Sequence, residues 1–354
     1  MASLLRLHPL GMRGRRFWIG SGMRALITGG TGFIGSCLAL RLVAQGHAVR
    51  VLSLIRTPTE AANARRLVER GVDVLEGSVL DPDARLRALD GVQVVHHIAA
   101  TMREADVPDR VFWETNVSAT QHLFRASRTA GVRRFVYCSS MGVTGAIRGR
   151  RVDETAPYSP KDIYGETKAA AEAWVLAQAR ADGLATTAVR PGDVYGPGDR
   201  RLLRLFRMVQ NGTFVHVGNG RGRRHMIYIE DLLDGLLAAQ NHDAAVGEAF
   251  FLAGPATISL RDLVELIAAE LGVRAPSRRV PYRPVRWLSV AVETMCRPLG
   301  VQPPIYPRRI DFFAHDYELD ISKARRVLRF DPKVDVREGV RRTIAAYRTE
   351  GLLR

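Results

Sequence analysis

The segment that most restricts this chain opens with a short apolar run, Arg24–Thr28. A glycine turn follows, Gly29-Gly30-Thr31-Gly32-Phe33-Ile34-Gly35, then a helical pattern through Leu38, Leu40, Leu42 and Val43 that stops at Gly46. A strand that ends in glycines and feeds straight into a helix lets backbone N–H groups approach a ligand closely. The spacing is GxxGxxG, not GxGxxG, and a glycine triplet alone often marks only a tight turn. Placed between a strand and a helix at the head of a strand–helix series, it predicts a dinucleotide pyrophosphate site.

The series continues. Val49–Ile55, Val72–Leu75, Val92–Ile98, Phe135–Cys138 and Thr186–Val189 read as further strands, with helical stretches between them, notably Thr115–Ala130 and Ile163–Ala181. Strands alternating with helices in this way predict a Rossmann-type α/β fold: a doubly wound parallel sheet covered on both faces. After Arg190-Pro191-Gly192 the texture changes to longer loops rich in glycine and arginine and to isolated helices such as Leu260–Leu271. This predicts a nucleotide-binding domain over 23–190 and a smaller C-terminal substrate-binding lobe over 191–354. The chain is expected to cross back to the sheet around 225–250. Pro276–Pro284 is a proline-punctuated connector into Val285–Leu299, a mostly apolar helix. That helix reads as core packing in preference to a lipid pocket.

At 354 residues with 46% hydrophobic and 25% charged residues, composition is that of a globular protein and excludes a disordered or fibrous one. No apolar stretch approaches the roughly 18 residues of a membrane span. Three widely spaced cysteines, Cys37, Cys138 and Cys296, form no CxxC pair, which predicts a reducing, cytoplasmic setting without disulfides or a zinc site. The formal charge of +16 would ordinarily raise nucleic acid as a partner. However, only Lys161, Lys168, Lys323 and Lys333 are lysines among 52 basic residues, a ratio that follows the codon usage of a GC-rich genome. The excess also sits at the ends: residues 1–24 and 274–354 supply +14 of the +16, leaving a nearly neutral body. No nucleic-acid partner is expected. Residues 1–22 carry a basic patch (Arg13, Arg15, Arg16) without the apolar run of a secretory leader. They read as a loose extension, with Met23 standing as an alternative start directly before the first strand.

About 20 residues past such a glycine turn, NAD-binding folds place an acid on the ribose hydroxyls. Here the sequence reads Ser53-Leu54-Ile55-Arg56, with no acid until Glu60. Arg56 suits a 2′-phosphate, which favours NADP over NAD, with NAD expected instead if the enzyme is an epimerase. Tyr164 and Lys168, four apart on a helix, share one face. A phenol near pKa 10 is a poor base at neutral pH, and a neighbouring ammonium stabilises its phenolate. Ser139-Ser140 at the end of the preceding strand offers a hydroxyl to hold the substrate oxygen that Tyr164 deprotonates. His96-His97 read as packed beside the cofactor, and no His, Cys and carboxylate group has metal-ligand spacing.

Several short stretches in this order resemble the extended short-chain dehydrogenase/reductases, the NAD-dependent epimerase/dehydratase group, from about residue 24 to the C-terminus. They are Thr28–Gly35, His97–Ala100, Asn116–Thr120, Ser139–Gly145, Tyr164–Lys168, Arg190–Gly198, Arg224–Asp231 and Asp320–Ala324. The resemblance implies hydride transfer between NAD(P) and a secondary alcohol or ketone, with Tyr164 as acid/base. Lys168 would lower the tyrosine pKa and grip the nicotinamide ribose, and Ser139 and Ser140 would orient the substrate. Gly29, Gly32, Phe33, Ile34 and Gly35 would line the pyrophosphate, with Ala99, Ala100, Asn116 and Pro191 completing the cofactor site. By the same analogy Thr115–Ala130 and Ile163–Ala181 would form a homodimer interface. The rival of another class, an NAD(P)-binding sensor without turnover, typically lacks the Tyr…Lys pair that is kept here.

The chain also departs from that pattern. Ser78 stands where an aspartate commonly meets adenine, and Val143-Thr144-Gly145 replaces Val-Tyr-Gly. Met141-Gly142 occupies the place of the Asp-Glu pair with which dehydratases expel water, so a dehydratase is not expected. Arg224 and Arg309 fall at or near positions where sugar-nucleotide epimerases bind diphosphate, and guanidinium groups suit phosphate oxygens. The leading expectation is therefore a nucleotide-sugar epimerase. The alternative is a 3β-hydroxysteroid dehydrogenase-like or dihydroflavonol reductase-like enzyme for a hydrophobic ketone, suggested by Val285–Leu299 and Pro303-Pro304.

Overall fold

The computed structural model describes residues 22–102, 107–145, 151–296, 298, 301, 303–307, 310 and 316–354. The strand–helix series begins with β1 (Arg24–Thr28), α1 (Phe33–Ala44), β2 (Ala48–Ser53), α2 (Pro58–Glu69), β3 (Asp73–Glu76), α3 (Pro82–Leu89) and β4 (Val94–His97). It continues through α4 (Asp109–Phe112), a π-helical turn at Trp113–Ser118, α5 (Ala119–Thr129), β5 (Arg134–Cys138), α6 (Ile163–Asp182) and β6 (Ala185–Pro191). Local chemistry explains several starts. Thr57 and Glu60 form a reciprocal capping box with Pro58 in the first turn of α2, and Asp162 caps α6 through the Gly165 N–H.

The strands hydrogen-bond in parallel in the order β3-β2-β1-β4-β5-β6, and a seventh joins beyond β6. That strand is Ala249–Leu252, paired in parallel with β6, and the sequence reading did not mark it. Its neighbours explain how it forms: β6 offers an unpaired edge, and Phe250, Phe251 and Leu252 are fully buried there. Successive side chains of each strand enter different cores. Ala25, Ile27, Val51 and Val136 pack with α1, whereas Leu26, Leu52, Phe135 and Tyr137 pack with α5 and α6. Burial on both faces is why these strands read as continuous apolar runs and not as alternating ones.

Beyond β6 come β7 (Asp193–Tyr195), α7 (Leu203–Gln210), β8 (His216–Val217), β9 (Arg223–Arg224), β10 (Met226–Tyr228) and α8 (Ile229–Asn241). Helix α8 returns to the sheet and packs on α1, β5 and β6, leading into the seventh strand, here β11. The remaining elements are β12 (Ile258–Ser259), α9 (Leu260–Leu271), β13 (Arg279–Val280), α10 (Tyr282–Cys296), α11 (Ser322–Leu328) and α12 (Val336–Thr349). Helix α12 packs on α9 and β10. Phe206 of α7 meets Tyr347 of α12 edge-on at 5.4 Å, and the Tyr347 hydroxyl donates to the Asp199 carbonyl. Helix α10 departs from its expected role: among its described side chains only Ser289 is buried, and Trp287, Leu288 and Met295 face solvent. It is not core packing.

Candidate active site

The strand order reverses between β1 and β4, and in open α/β sheets ligands bind outside the carboxyl ends of the strands at such a point. Gly29 follows β1 there, with φ +68°, and a Cβ on it would stand 2.8 Å from the Ala99 Cα beyond β4. A Cβ on Gly30 would strike Val51 at 2.4 Å, and one on Gly35 would strike the Gly29 carbonyl oxygen at 2.4 Å. Glycine at these three places lets the turn lie flat between two strand ends and lets α1 press onto it. Gly32, the N-cap of α1, provides no side-chain cap, and the first turn holds no acid. The opening N–H groups of α1, those of Phe33 and Ile34 included, therefore have no side-chain partner and suit a pyrophosphate. The described residues fit a dinucleotide at this cradle.

Past β2, the sequence-predicted Arg56 is exposed. Glu60 Oε2 accepts from the Arg56 and Thr57 N–H groups, each at 2.9 Å, so the first acid in this region is committed to the cap of α2. Ser53 is buried and pairs with Thr31 at 2.6 Å. Ser78 accepts from the Leu80 N–H, capping the turn before α3.

The catalytic candidates assemble one strand further along. Ser139 and Ser140 follow the end of β5, which lies next to β4. Ser140 Oγ accepts from the Gly142 N–H at 3.1 Å and starts a short 3-10 turn, Met141–Val143. Ser139 is buried, and its hydroxyl has no hydrogen-bond partner among the described residues. The turn meets the first turn of α6 at a glycine contact: a Cβ on Gly165 would lie 2.9 Å from the Gly142 oxygen. Without this pair the serine turn could not approach the helix that carries Tyr164. The sequence marks Gly142 only as standing where dehydratases carry an acid, and Gly165 belongs to no glycine-rich motif, so their contact is not legible there.

On α6, Tyr164, Lys168 and Glu172 follow at successive i+4 positions, and all three are buried. Lys168 Nζ donates to the Cys138 carbonyl at 2.5 Å and sits 4.3 Å from the centre of the Tyr137 ring. Burial brings its pKa down to about 8, against the raising effects of Cys138 and Glu172. An amine with pKa near neutrality can change its charge during turnover. Behind it Glu172 pairs with Arg190 at 2.5 Å and accepts from Tyr158 at 2.8 Å, with both members of the ion pair almost fully buried.

A chain of hydrogen bonds of fixed direction links these parts. Thr120 donates to the Asn116 carbonyl at 2.7 Å, so it accepts from His97 Nε2 at 2.8 Å. His97 Nδ1 then accepts from Thr28 at 2.7 Å, and Thr28 accepts from the Ala99 N–H at 3.3 Å. Burial, with the Lys168 charge adding to it, lowers the His97 pKa to about 3, so the ring is neutral. Asn116 bonds both the N–H and the carbonyl of Thr101, and its amide donates to Thr167 on α6 at 3.0 Å. It thus fastens the loop after Ala99-Ala100 to the helix of Tyr164. Pro191 ends β6 and is buried. Among the described residues no group of His, Cys, Asp and Glu could hold a metal ion. A small cleft lined by Met23, Gln93, Val94 and Arg134 lies at the opposite, amino ends of β1, β4 and β5.

Residues 25–253 match the model of the NAD dependent epimerase/dehydratase family. The chain belongs to this family. It is 33% identical over 342 residues to a 3 beta-hydroxysteroid dehydrogenase/Delta 5-->4-isomerase of Mycobacterium tuberculosis, covering 92% of this chain and 90% of that one. It is 30% identical to a 2-alkyl-3-oxoalkanoate reductase of Stenotrophomonas maltophilia, covering 92% of this chain and 99% of the relative. Among solved structures, a dTDP-glucose 4,6-dehydratase of Streptomyces venezuelae with NAD bound superposes with a TM-score of 0.77. That match has 27% identity and covers 94% of this chain and 99% of the other. The family's extended short-chain dehydrogenase/reductase relatives are dehydrogenases, reductases and epimerases, and this family member is an enzyme of that type with a Rossmann-like fold.

Of the two arginines expected at a diphosphate, Arg309 lies outside the described residues. Arg224 is 3% exposed and is held by the Asp193 carboxylate at 2.5 Å, with its guanidinium 5.0 Å from the Tyr317 ring. The sequence reading did not single out Asp193. Its only signal was a carboxylate within the family stretch Arg190–Gly198, and a sequence alone does not pair it with an arginine 31 positions on.

Proposed function

We propose that this family member is an NAD(P)-dependent oxidoreductase that interconverts a secondary alcohol and a ketone on a hydrophobic substrate. The observation that carries the reading is the burial of Arg224 against Asp193. A diphosphate would have to displace a carboxylate already in place, at the cost of leaving that charge unpaired. The relatives of 30% identity or more named above act, by their names, on a steroid and on a 2-alkyl-3-oxoalkanoate, which supports the same substrate class. Solved structures named for a nucleotide sugar, one with UDP-glucose bound and one a dTDP-glucose 4,6-dehydratase, match at the lower identities of 25% and 27%.

Bound NAD(P) supplies the hydride acceptor or donor. The glycine cradle and the opening turn of α1 hold the pyrophosphate, and Ala99, Ala100, Asn116 and Pro191 flank the cofactor. Arg56, exposed beside a glutamate that is committed elsewhere, favours NADP. In the oxidative direction Tyr164 Oη takes the hydroxyl proton of the substrate, and in the reductive direction it returns it. Ser140, with Ser139 beside it, orients the substrate oxygen, and protonated Lys168 lowers the cost of the phenolate. A homodimer through α5 and α6 is the assembly proposed by analogy.

The test is steady-state turnover on two panels: hydrophobic ketones with NADPH or NADH, and nucleotide sugars with NAD. Net cofactor oxidation on the first panel alone is expected. Interconversion of nucleotide sugars without net cofactor change would replace this reading with the epimerase one.

A further inference from the structure

We propose that α10 docks this enzyme on a membrane surface that bears anionic lipid headgroups. The inference concerns an outer face of the lobe and does not depend on which substrate the active site takes.

The helix is amphipathic in an unusual sense. Its exposed positions include Pro284, Trp287, Leu288, Ala291 and Met295, which recur at the three- and four-residue spacing of one helical face. Trp287 is 77% exposed, Met295 71% and Leu288 55%, so three large apolar side chains stand together in water. Val301, just beyond the helix, is 57% exposed. Scattered apolar residues on a surface need no explanation, but an aligned stripe of large ones marks an interaction site.

Charge decides the occupant. Arg274, Arg278 and Arg279, which lead into the helix, and Arg283 in its first turn are all exposed. Residues 274–310 hold eight arginines against one acid, Glu293. An apolar stripe with tryptophan, flanked by arginines, is the composition of a helix that lies in the interface of an anionic bilayer. Tryptophan favours the headgroup level, where its ring is buried and its N–H stays wet. The helix has 15 residues, roughly 22 Å at helical rise, too short for a hydrocarbon core of about 30 Å. No described helix is long and apolar enough to cross a membrane. Surface docking, not insertion, fits these dimensions. A second copy of this face would bring one arginine-rich segment against another, and residues 1–21 hold four arginines and no acid. Both occupants are disfavoured by like charge.

The test is co-sedimentation of the full chain with vesicles of phosphatidylcholine alone or mixed with phosphatidylglycerol, repeated at rising salt. Each exposed arginine near an anionic surface is worth about fivefold in binding, so four predict a preference for the anionic vesicles on the order of 100-fold or more. The preference should fade as salt rises. The double variant Trp287→Glu/Met295→Glu is expected to lose vesicle binding while keeping its melting temperature and its turnover of a water-dissolved substrate. Equal partition into both vesicle types, or none, overturns the proposal. So does undiminished binding by the double variant, which would assign lipid contact to another basic segment. A dimer in sedimentation equilibrium that the double variant dissociates would assign the stripe to a second copy, and also overturns it.

Discussion

Helices α6 and α10 are both long and carry apolar residues, yet they meet the rest of the protein in opposite ways. In α6 the charged side chains Lys168 and Glu172 are buried while the helix ends are capped by Asp162 and Gly183. In α10 the charged side chains Arg283, Arg286 and Glu293 are exposed or half-buried and the large apolar ones Trp287, Leu288 and Met295 stay in solvent. Hydrophobicity along a sequence therefore did not rank the two helices by burial. What ranked them is partnership: α6 has a sheet face that offers Tyr137, Cys138 and Arg190 to its polar groups, whereas α10 buries only Ser289 among its described side chains. A buried charge is tolerated only where partners are waiting.

The largest expected consequence of that contrast is on turnover. Tyr164→Phe on α6 removes the proposed acid/base, and kcat should fall about 10²–10⁴-fold, with cofactor affinity nearly unchanged by fluorescence titration. A variant that keeps wild-type turnover would remove Tyr164 from the chemistry. Next in size is the ion pair behind it. Glu172→Ala strands Arg190 in the interior, and denaturant unfolding should show a loss of about 3–5 kcal/mol. A loss below about 1 kcal/mol would mean that water reaches the pair, and the contrast with α10 would weaken.

Lys168 gives a subtler readout, made accessible because the chain has only four lysines. Side-chain NMR of lysine-labelled protein, free of cofactor, should show one ammonium that titrates near pH 8 and is missing from Lys168→Arg. The sign for stability follows. Between about pH 8 and the ordinary lysine value of 10.5, the unfolded chain holds a proton that the folded one has released. This group therefore contributes increasing stability as pH rises across that window, and opposes folding most below it. Titration at or above the ordinary lysine value would contradict the buried placement. The smallest effect belongs to α10: Trp287→Ala or Met295→Ala should change stability by no more than about 0.5 kcal/mol. A loss of about 3 kcal/mol or more would place the helix in the core.

Much of the fold was legible in the sequence for the same reason. Strands buried on both faces are short apolar runs, and the Gly29–Gly35 turn announces β1 and α1 through steric demands that Ala99, Val51 and the Gly29 carbonyl make explicit. Tyr164, Lys168 and Ser140 could be read because helical spacing and a strand end are local patterns. The remainder depends on residues far apart in the chain. Ala249–Leu252 becomes a sheet strand because β6 lies beside it, Gly165 matters because of Gly142, and Arg224 changes meaning once Asp193 is found against it. The apolar run of α10 was read as core because composition carries no information about which side faces out.

The most direct test of the central claim, that Tyr164 serves hydride transfer at a hydrophobic ketone, is isotopic. NAD(P)H deuterated at the transferring position would be incubated with the ketone that the panel identifies, and the product examined by mass spectrometry. The account predicts one deuterium on the new carbinol carbon, formed by the wild-type enzyme and lost with Tyr164→Phe. Product without deuterium, or deuterium transfer undiminished in the variant, would contradict it.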